Sequence, residues 1–311
     1  MNDFATALIE RYKICPLKNI SATVHNRKLC VMYFIYSDEI PKLFIKLVKN
    51  TDGNNTIKNE YNNLIKLDKI THNEKKLKES IPCAHSLNYY EGKAFIVTTF
   101  MSGVKVSFND FRYQQYKKIT DWLVNLHKLT TDEIYFKKDI VLQYINNCSN
   151  NWKLNFDLPY KFKNYVNEII EDYYRINESK LTTCFSHNDF TSANILFNKK
   201  KISVIDWGNA MGNGFPLIDA FELILYLVNK KNNNYPKSLR LLIKGDVYEK
   251  KMFKLVLEKY IKEFSLSNEM IYWLLRLLFI GKAHRFYIAN RPERVSQLID
   301  CFHLLKNNKF L

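Results

Sequence analysis

Phe185-Ser186-His187-Asn188-Asp189-Phe190-Thr191-Ser192-Ala193-Asn194-Ile195-Leu196, followed by Val204-Ile205-Asp206-Trp207-Gly208, is the stretch from which the rest of the chain is read. Asp189, Asn194 and Asp206 are its polar landmarks. Between them lie apolar Ile195-Leu196-Phe197 and the alternating Ile202-Ser203-Val204-Ile205, joined by Asn198-Lys199-Lys200-Lys201. Two short apolar runs around a polar turn predict a hairpin with the polar residues at its open ends. The two ends of a hairpin lie close together, so Asp189, Asn194 and Asp206 are expected to converge. An ordinary hairpin with Asp and Asn in its turns is the alternative for each residue taken singly.

One carboxylate to receive a hydroxyl proton, with an Asn and an Asp to hold Mg²⁺, is the set that phosphoryl transfer requires. On His187-Asn188-Asp189, Asn194 and the Asp206-Trp207 pair, the chain resembles the aminoglycoside phosphotransferase and choline kinase family. The resemblance implies an α+β fold, two-lobed and protein-kinase-like, with a small β-rich N-lobe and a larger, mostly helical C-lobe. It implies a nucleotide-binding lobe over residues 1–101 and a catalytic, acceptor-binding lobe over 102–311. By the same resemblance Asp189 is the catalytic base and His187 braces its loop. Asn194 and Asp206 become the Mg²⁺ ligands, and ATP the phosphoryl donor.

The first third carries the pattern of a β-rich lobe. Leu29 to Tyr36 and Lys42 to Val48 are rich in strand formers and are separated by turn residues, which predicts a hairpin. Lys46 is set inside the second apolar run. It resembles the kinase-fold lysine that reaches the α- and β-phosphates; alternation alone would let it face solvent. From Thr56 to Leu67, Ile57, Tyr61, Leu64 and Ile65 repeat at helical spacing, with Glu60 beside their stripe. Glu60 occupies the place of the glutamate that pairs the lysine in the family.

Phe95 to Phe100 is expected to be a strand leading into Met101-Ser102-Gly103, which resembles the hinge between the family's lobes, so the resemblance implies that the backbone of Thr98, Thr99, Phe100 and Met101 meets adenine. No glycine precedes Gly53, so the first hairpin has no Gly-rich phosphate loop. Ser21 and Thr23, expected near its turn, are the substitute phosphate-binding candidates.

The rest is expected to be mainly helical. Tyr113 to Leu129 ends in Leu126-His127-Lys128-Leu129, where His127 suits a structural histidine. Further helices are predicted over 159–174, 250–264, 268–287 and 294–305. After Asp206 a tight Gly/Pro loop leads to Leu217-Ile218-Asp219. The resemblance makes Asp219 the buttress of the catalytic loop. Glu222, Trp273 and Arg276 are candidates for the acceptor pocket. Lys282 and Arg285 join them for an acidic acceptor, whereas an aromatic face such as Trp273 would suit a quaternary ammonium.

Composition sets the limits. The 311 residues are 47% hydrophobic and 14% aromatic, as expected of a folded chain with a sizeable core. The start, Met-Asn-Asp-Phe-Ala-Thr, has no basic segment followed by a long apolar one, so no signal peptide is expected. Scattered Cys15, Cys30, Cys83, Cys148, Cys184 and Cys301 suit reduced thiols and a cytoplasmic location. The +16 net charge favours anionic partners in general, including weak association with an anionic surface, and a Lys-rich solvated exterior explains it equally.

A protein kinase fits less well, because His-Asn-Asp stands for His-Arg-Asp and no Ala-Pro-Glu follows Asp206. No nucleic-acid-binding motif accompanies the charge. The expected function is ATP- and Mg²⁺-dependent phosphorylation of a hydroxyl on a small molecule, of sugar/glycan or choline/ethanolamine type. The alternatives are an aminoglycoside-type antibiotic kinase and a catalytically weak kinase-like binding protein.

Overall fold

Alternating apolar residues in the first hundred positions build one antiparallel sheet. The structure, a computed structural model, describes residues 20–105, 113–148, 160–176, 180–198, 201–244 and 247–307. Cys15 and the turn residues Lys199 and Lys200 lie outside them. The chain divides into two compact units: Met1–Lys105 with Asn194–Ala210, and Val106–Ala193 with Met211–Leu311.

In the first unit, β1 (Ile20–Asn26), β2 (Cys30–Ser37), β3 (Ile40–Val48), β4 (Ala84–Tyr90) and β5 (Lys93–Thr99) form a sheet in the order β1-β2-β3-β5-β4. Its register sorts the side chains by face. Ala22, Ile35, Leu43, Ile45 and Val97 belong to one buried apolar cluster. Each fully buried aliphatic side chain of this kind contributes about 1.5–3 kcal/mol. On the opposite face the row Thr23–Phe34–Phe44–Thr98 lies beside the row His25–Met32–Lys46–Ile96. Lys46 thus points away from that cluster because it is one residue out of phase with Ile45 and Leu47.

Ser21 and Thr23 are not turn residues. Both lie within β1, and the turn falls after Asn26, closed by the Arg27 N–H donating to the Cys30 carbonyl at 2.9 Å. The turn was expected near Ser21 to Lys28 and falls at the end of that region, but with no Gly or Pro to mark its start Ser21 and Thr23 could not be told from turn residues.

Helix α1 (Asn54–Ile70) buries Ile57, Leu64 and Leu67, and a short helix α2 (Lys75–Lys78) follows. A second sheet orders β10 (Lys201–Val204), β9 (Ile195–Asn198) and β6 (Val104–Lys105). The β9–β10 hairpin is the one expected from the alternation, with Val204 opposite Ile195.

The second unit is mainly helical, with a small sheet of β11 (Met211–Gly214), β8 (Lys180–Ser186) and β7 (Asp132–Tyr135). Its helices are α3 (Tyr113–Leu129), α4 (Lys138–Cys148), α5 (Tyr160–Ile176), α6 (Ile218–Asn232), α7 (Tyr235–Lys244), α8 (Val247–Phe264), α9 (Asn268–Ile288) and α10 (Pro292–Asn307). The α9 helix begins at Ser267, whose hydroxyl accepts from the Met270 N–H at 3.1 Å. Apolar residues surround α9, so it runs through the core with few exposed positions. Among the described residues no helix is long and apolar enough to cross a membrane.

At Gly214 a Cβ would come within 2.2 Å of the Ser186 hydroxyl oxygen. Gly214→Ala is therefore expected to destabilise by about 1–3 kcal/mol through overpacking. A denaturant melt checks this, and an unchanged midpoint would show that the backbone at Ser186 and Gly214 moves apart freely, since turning the hydroxyl does not move the Ser186 Cβ.

Candidate active site

In the first unit the site is built on Lys46. The β3 strand points its ammonium at two carboxylates, 2.9 Å from Glu60 Oε2 on α1 and 2.8 Å from Asp206 Oδ1. Burial works to lower the Lys46 pKa, but the two carboxylates outweigh it and hold the ammonium above its ordinary value. Asp206 follows β10 in a left-handed conformation, φ +66°. The next turn is bolted to α1, where Asn63 donates through Nδ2 to the Trp207 and Ala210 carbonyls at 3.0 and 2.9 Å. Gly208 permits this approach, since a Cβ there would sit 3.1 Å from a Thr56 methyl group.

Asn194 stands at the other strand of the same hairpin, and its carbonyl accepts from the Ile205 N–H at 3.0 Å. The hairpin therefore carries Asn194 and Asp206 at its open end, as the sequence pattern required. The Asp206 side chain is 46% exposed, so its carboxylate remains accessible alongside the Lys46 pair. An amide oxygen and a carboxylate are hard ligands that suit Mg²⁺, which is usually held by one or two protein groups plus water and phosphate. The donor set fits that ion.

The hinge candidates separate. Thr98 lies on the Lys46 face, whereas the Thr99 hydroxyl accepts from the Cys83 N–H at 2.8 Å. The Phe100 N–H donates to the Lys42 carbonyl at 2.9 Å, so that donor is committed to the sheet. Phe100 meets Phe34, and Phe34 meets Phe44, edge-on at centroid distances of 5.9 and 5.3 Å. These rings give the Lys46 face an aromatic margin. Ser21 and Thr23 are exposed on β1, and Thr23 Oγ1 is 3.4 Å from the Tyr36 hydroxyl.

In the second unit Asp219 organises the loop before Asp189. It is fully buried at the start of α6, where its two oxygens accept from the His187 N–H at 2.6 Å and the Asn188 N–H at 2.9 Å. His127 Nε2 is 3.5 Å away, and His127 Nδ1 lies 3.0 Å from the Tyr260 hydroxyl. Burial works to raise the Asp219 pKa, but His127, His187 and the backbone donor together hold it below the ordinary carboxylate range. Asn188 adopts φ +58°, and the His187 Nδ1 accepts from the Asp189 N–H at 3.3 Å. His187 thus acts on the loop's backbone, from a fully buried position.

Asp219→Asn replaces one acceptor with an NH₂ group that faces an N–H donor. The expected loss is about 1–3 kcal/mol for a buried group left unsatisfied. The folded-state pKa is depressed, so the ionised contribution is fully present above the unfolded pKa of about 3.9 and disappears as pH falls through the lower folded value. Denaturant titrations should show a constant difference between wild type and variant at pH 5–8, narrowing only below about pH 4. A difference unchanged in acid would remove the Asp219 charge from the account.

Asp189 is met by Arg285 of α9, whose two terminal nitrogens each lie 3.2 Å from Asp189 Oδ1. Lys282, one helical turn earlier, pairs with Glu222 of α6, which is 2% exposed. Glu222 therefore belongs to the Asp189 neighbourhood. Trp273 and Arg276 are buried against other residues. Trp273 is 2% exposed, and its indole N–H donates to the Ile169 carbonyl at 2.8 Å. Arg276, 6% exposed, pairs with Glu168 at 2.5 Å and with Asp172. Both are internal braces between α9 and α5.

A family model described as "Phosphotransferase enzyme family" matches residues 75–235, a little over half of the chain. No curated protein matches it. Among solved structures, the chain is similar to a choline/ethanolamine kinase family protein from Mesorhizobium loti at 13% identity and TM-score 0.56, over 98% of this chain and 95% of that one. The amicoumacin kinase hAmiN, solved with AMP-PNP, Ca²⁺ and Ami, is similar at 14% identity and TM-score 0.57, over 98% and 100%. Wild-type aminoglycoside 2'-phosphotransferase-IIIa, solved with GDP, is similar at 12% identity and TM-score 0.55, over 98% of each chain. At these identities the likeness establishes the kinase-like α+β fold.

Proposed function

The chain belongs to the phosphotransferase enzyme family, and on that premise we propose that it transfers the γ-phosphoryl group of ATP to a hydroxyl of a small molecule. The observation that carries this reading is the Lys46–Glu60–Asp206 cluster, with both carboxylates within 2.9 Å of one ammonium. It is the arrangement that orients a nucleotide's phosphates and presents a carboxylate to their metal. Lys46 binds the phosphates, and Asn194 with Asp206 would hold Mg²⁺. That ion would supply neutralisation of charge on the β- and γ-phosphate oxygens. Asp189 receives the acceptor's hydroxyl proton as its oxygen bonds to phosphorus and ADP leaves. Asp219 and His187 fix the backbone that presents Asp189. Positioning and charge stabilisation carry most of such catalysis.

Of the acceptor types, a sugar or glycan is favoured over choline. The aromatic face that a quaternary ammonium would need at Trp273 is used in the core, against Phe215 and Tyr173. An ATP-consumption screen over monosaccharides, choline, ethanolamine, nucleosides and aminoglycosides tests the reading. We expect Mg²⁺-dependent turnover with a sugar-type acceptor. Exclusive use of choline or an aminoglycoside would overturn the acceptor preference, and no acceptor-dependent turnover would overturn the activity.

A further inference from the structure

We propose that Arg285 is the specificity-determining residue of the acceptor site and selects a hydroxyl compound that carries an oxyanion, a carboxylate or a phosphate monoester. The inference rests on the assignment of Asp189 as the base and deepens it. Four charged side chains gather there: Asp189 before β9, Glu222 on α6, and Lys282 and Arg285 on α9. Lys282 and Arg285 are three residues apart and so share a helix face.

These charges are not equally available. Glu222 and Lys282 are spent on each other, with side chains 3% and 13% exposed. Glu222 is therefore a neutralised internal carboxylate and offers nothing to an ammonium group. The remaining carboxylate is Asp189, and Arg285 lies 3.2 Å from its Oδ1. A cationic acceptor reaching the base would also come within reach of a guanidinium. The four charges sum to zero, so this neighbourhood offers choline, ethanolamine and polycationic aminoglycosides no net negative field.

Arg285 itself is only partly spent. Its side chain is 31% exposed, and both terminal nitrogens point at a single Asp189 oxygen at 3.2 Å. Strong charge-assisted pairs are shorter, about 2.7–2.9 Å, and use both carboxylate oxygens. A guanidinium has five N–H donors in a planar fork, so a second oxyanion can share it without displacing Asp189. An acceptor held in this way has its negative group tied to the residue that touches the base. Its hydroxyl is thereby oriented toward Asp189 by a fixed pair of hydrogen bonds. Arg285 serves as an anchor for the acceptor, and its distance to the base decides which hydroxyl is used.

The test uses the full chain with saturating Mg²⁺ and AMP-PNP and five matched probes: glucose, glucosamine, choline, glucuronate and glucose 6-phosphate. Calorimetry measures binding, and ³¹P NMR with ATP measures transfer. At least one anionic probe should bind roughly thirtyfold or more tightly than glucose, the effect of a desolvated charge pair. Glucuronate against glucose 6-phosphate separates carboxylate from phosphate. Arg285→Gln should abolish the preference and Arg285→Lys should restore part of it, while a melting curve and AMP-PNP binding verify the fold of each variant.

The proposal is overturned if neither anion binds, if glucose or a cation binds as tightly, or if the preference survives in Arg285→Gln. Transfer to glucose or choline without dependence on Arg285 sinks the anchor and leaves phosphotransfer standing. Failure to bind AMP-PNP at all counts instead against the phosphotransferase reading.

Discussion

Asp189→Ala is expected to reduce phosphoryl transfer by about 10²–10⁴-fold while leaving Mg²⁺-nucleotide affinity within about twofold. The carboxylate is presented by a loop whose backbone is held from both sides. Asp219 accepts the N–H groups of His187 and Asn188, and His187 accepts that of Asp189. The substitution leaves those bonds in place because their donors are the backbone N–H groups of residues 187, 188 and 189 and none uses the Asp189 side chain. Loss of rate then reports the missing base and not a collapsed loop. Nucleotide groups are assigned to Lys46, Asn194 and Asp206, none of which involves the Asp189 side chain. Steady-state kinetics and a nucleotide titration measure the two quantities. Turnover within threefold of wild type would remove Asp189 from the mechanism.

Asp206→Asn should behave differently. The wild-type carboxylate accepts from Lys46 Nζ at 2.8 Å and, on the proposed reading, would also present an oxygen to the metal. An amide keeps the size and one acceptor but loses the charge. We expect Mg²⁺-dependent nucleotide binding to weaken by about 10–100-fold, the range seen when a metal site loses part of its supporting shell. Rate should fall by a further 10²–10³-fold or so, as when one preorganised electrostatic group is removed. Titrating nucleotide with and without Mg²⁺ separates the effects. The metal-free affinity should change little, because Lys46 keeps Glu60 at 2.9 Å. An unchanged Mg²⁺ dependence would make Asp206 a structural partner of Lys46 alone.

Much of this site was legible along the chain because its parts are local. Lys46 stands out as the one charge inside Leu43–Val48, and β3 alternates there as that run requires. The helical stripe predicts α1 while Glu60 itself came from the resemblance, and Asn194 and Asp206 stand at the open end of a hairpin, which must bring them close. The candidate catalytic loop was recognised through the resemblance, on the consecutive residues His187, Asn188 and Asp189. Its buttress at Asp219 came from the resemblance, and its contacts required the structure.

What was not legible depends on long-range packing or on the absence of punctuation. The β1–β2 turn contains neither Gly nor Pro, so Ser21 and Thr23 were expected in a turn that begins after Asn26. The α9 helix is apolar almost all round, and no stripe distinguishes a pocket-facing side from a core-facing one. Trp273 was already expected to suit the core better than a pocket, whereas Arg276 looked as eligible as Lys282 and Arg285, a turn or more further on. Only the contacts separate them, Arg276 with Glu168 and Arg285 with Asp189, across 108 and 96 residues respectively. Periodicity carries no information about partners at that separation.

The central claim is that this chain moves a phosphoryl group to a hydroxyl acceptor with Asp189 as the base. It is tested most directly by ³¹P NMR of Mg²⁺-ATP incubated with the sugar and sugar-acid probes, wild type beside Asp189→Ala. The account predicts a new phosphomonoester resonance growing in step with ADP in the wild type and absent from the variant over the same hours. ADP accompanied only by inorganic phosphate, or the same new resonance at the same rate in both proteins, would contradict it.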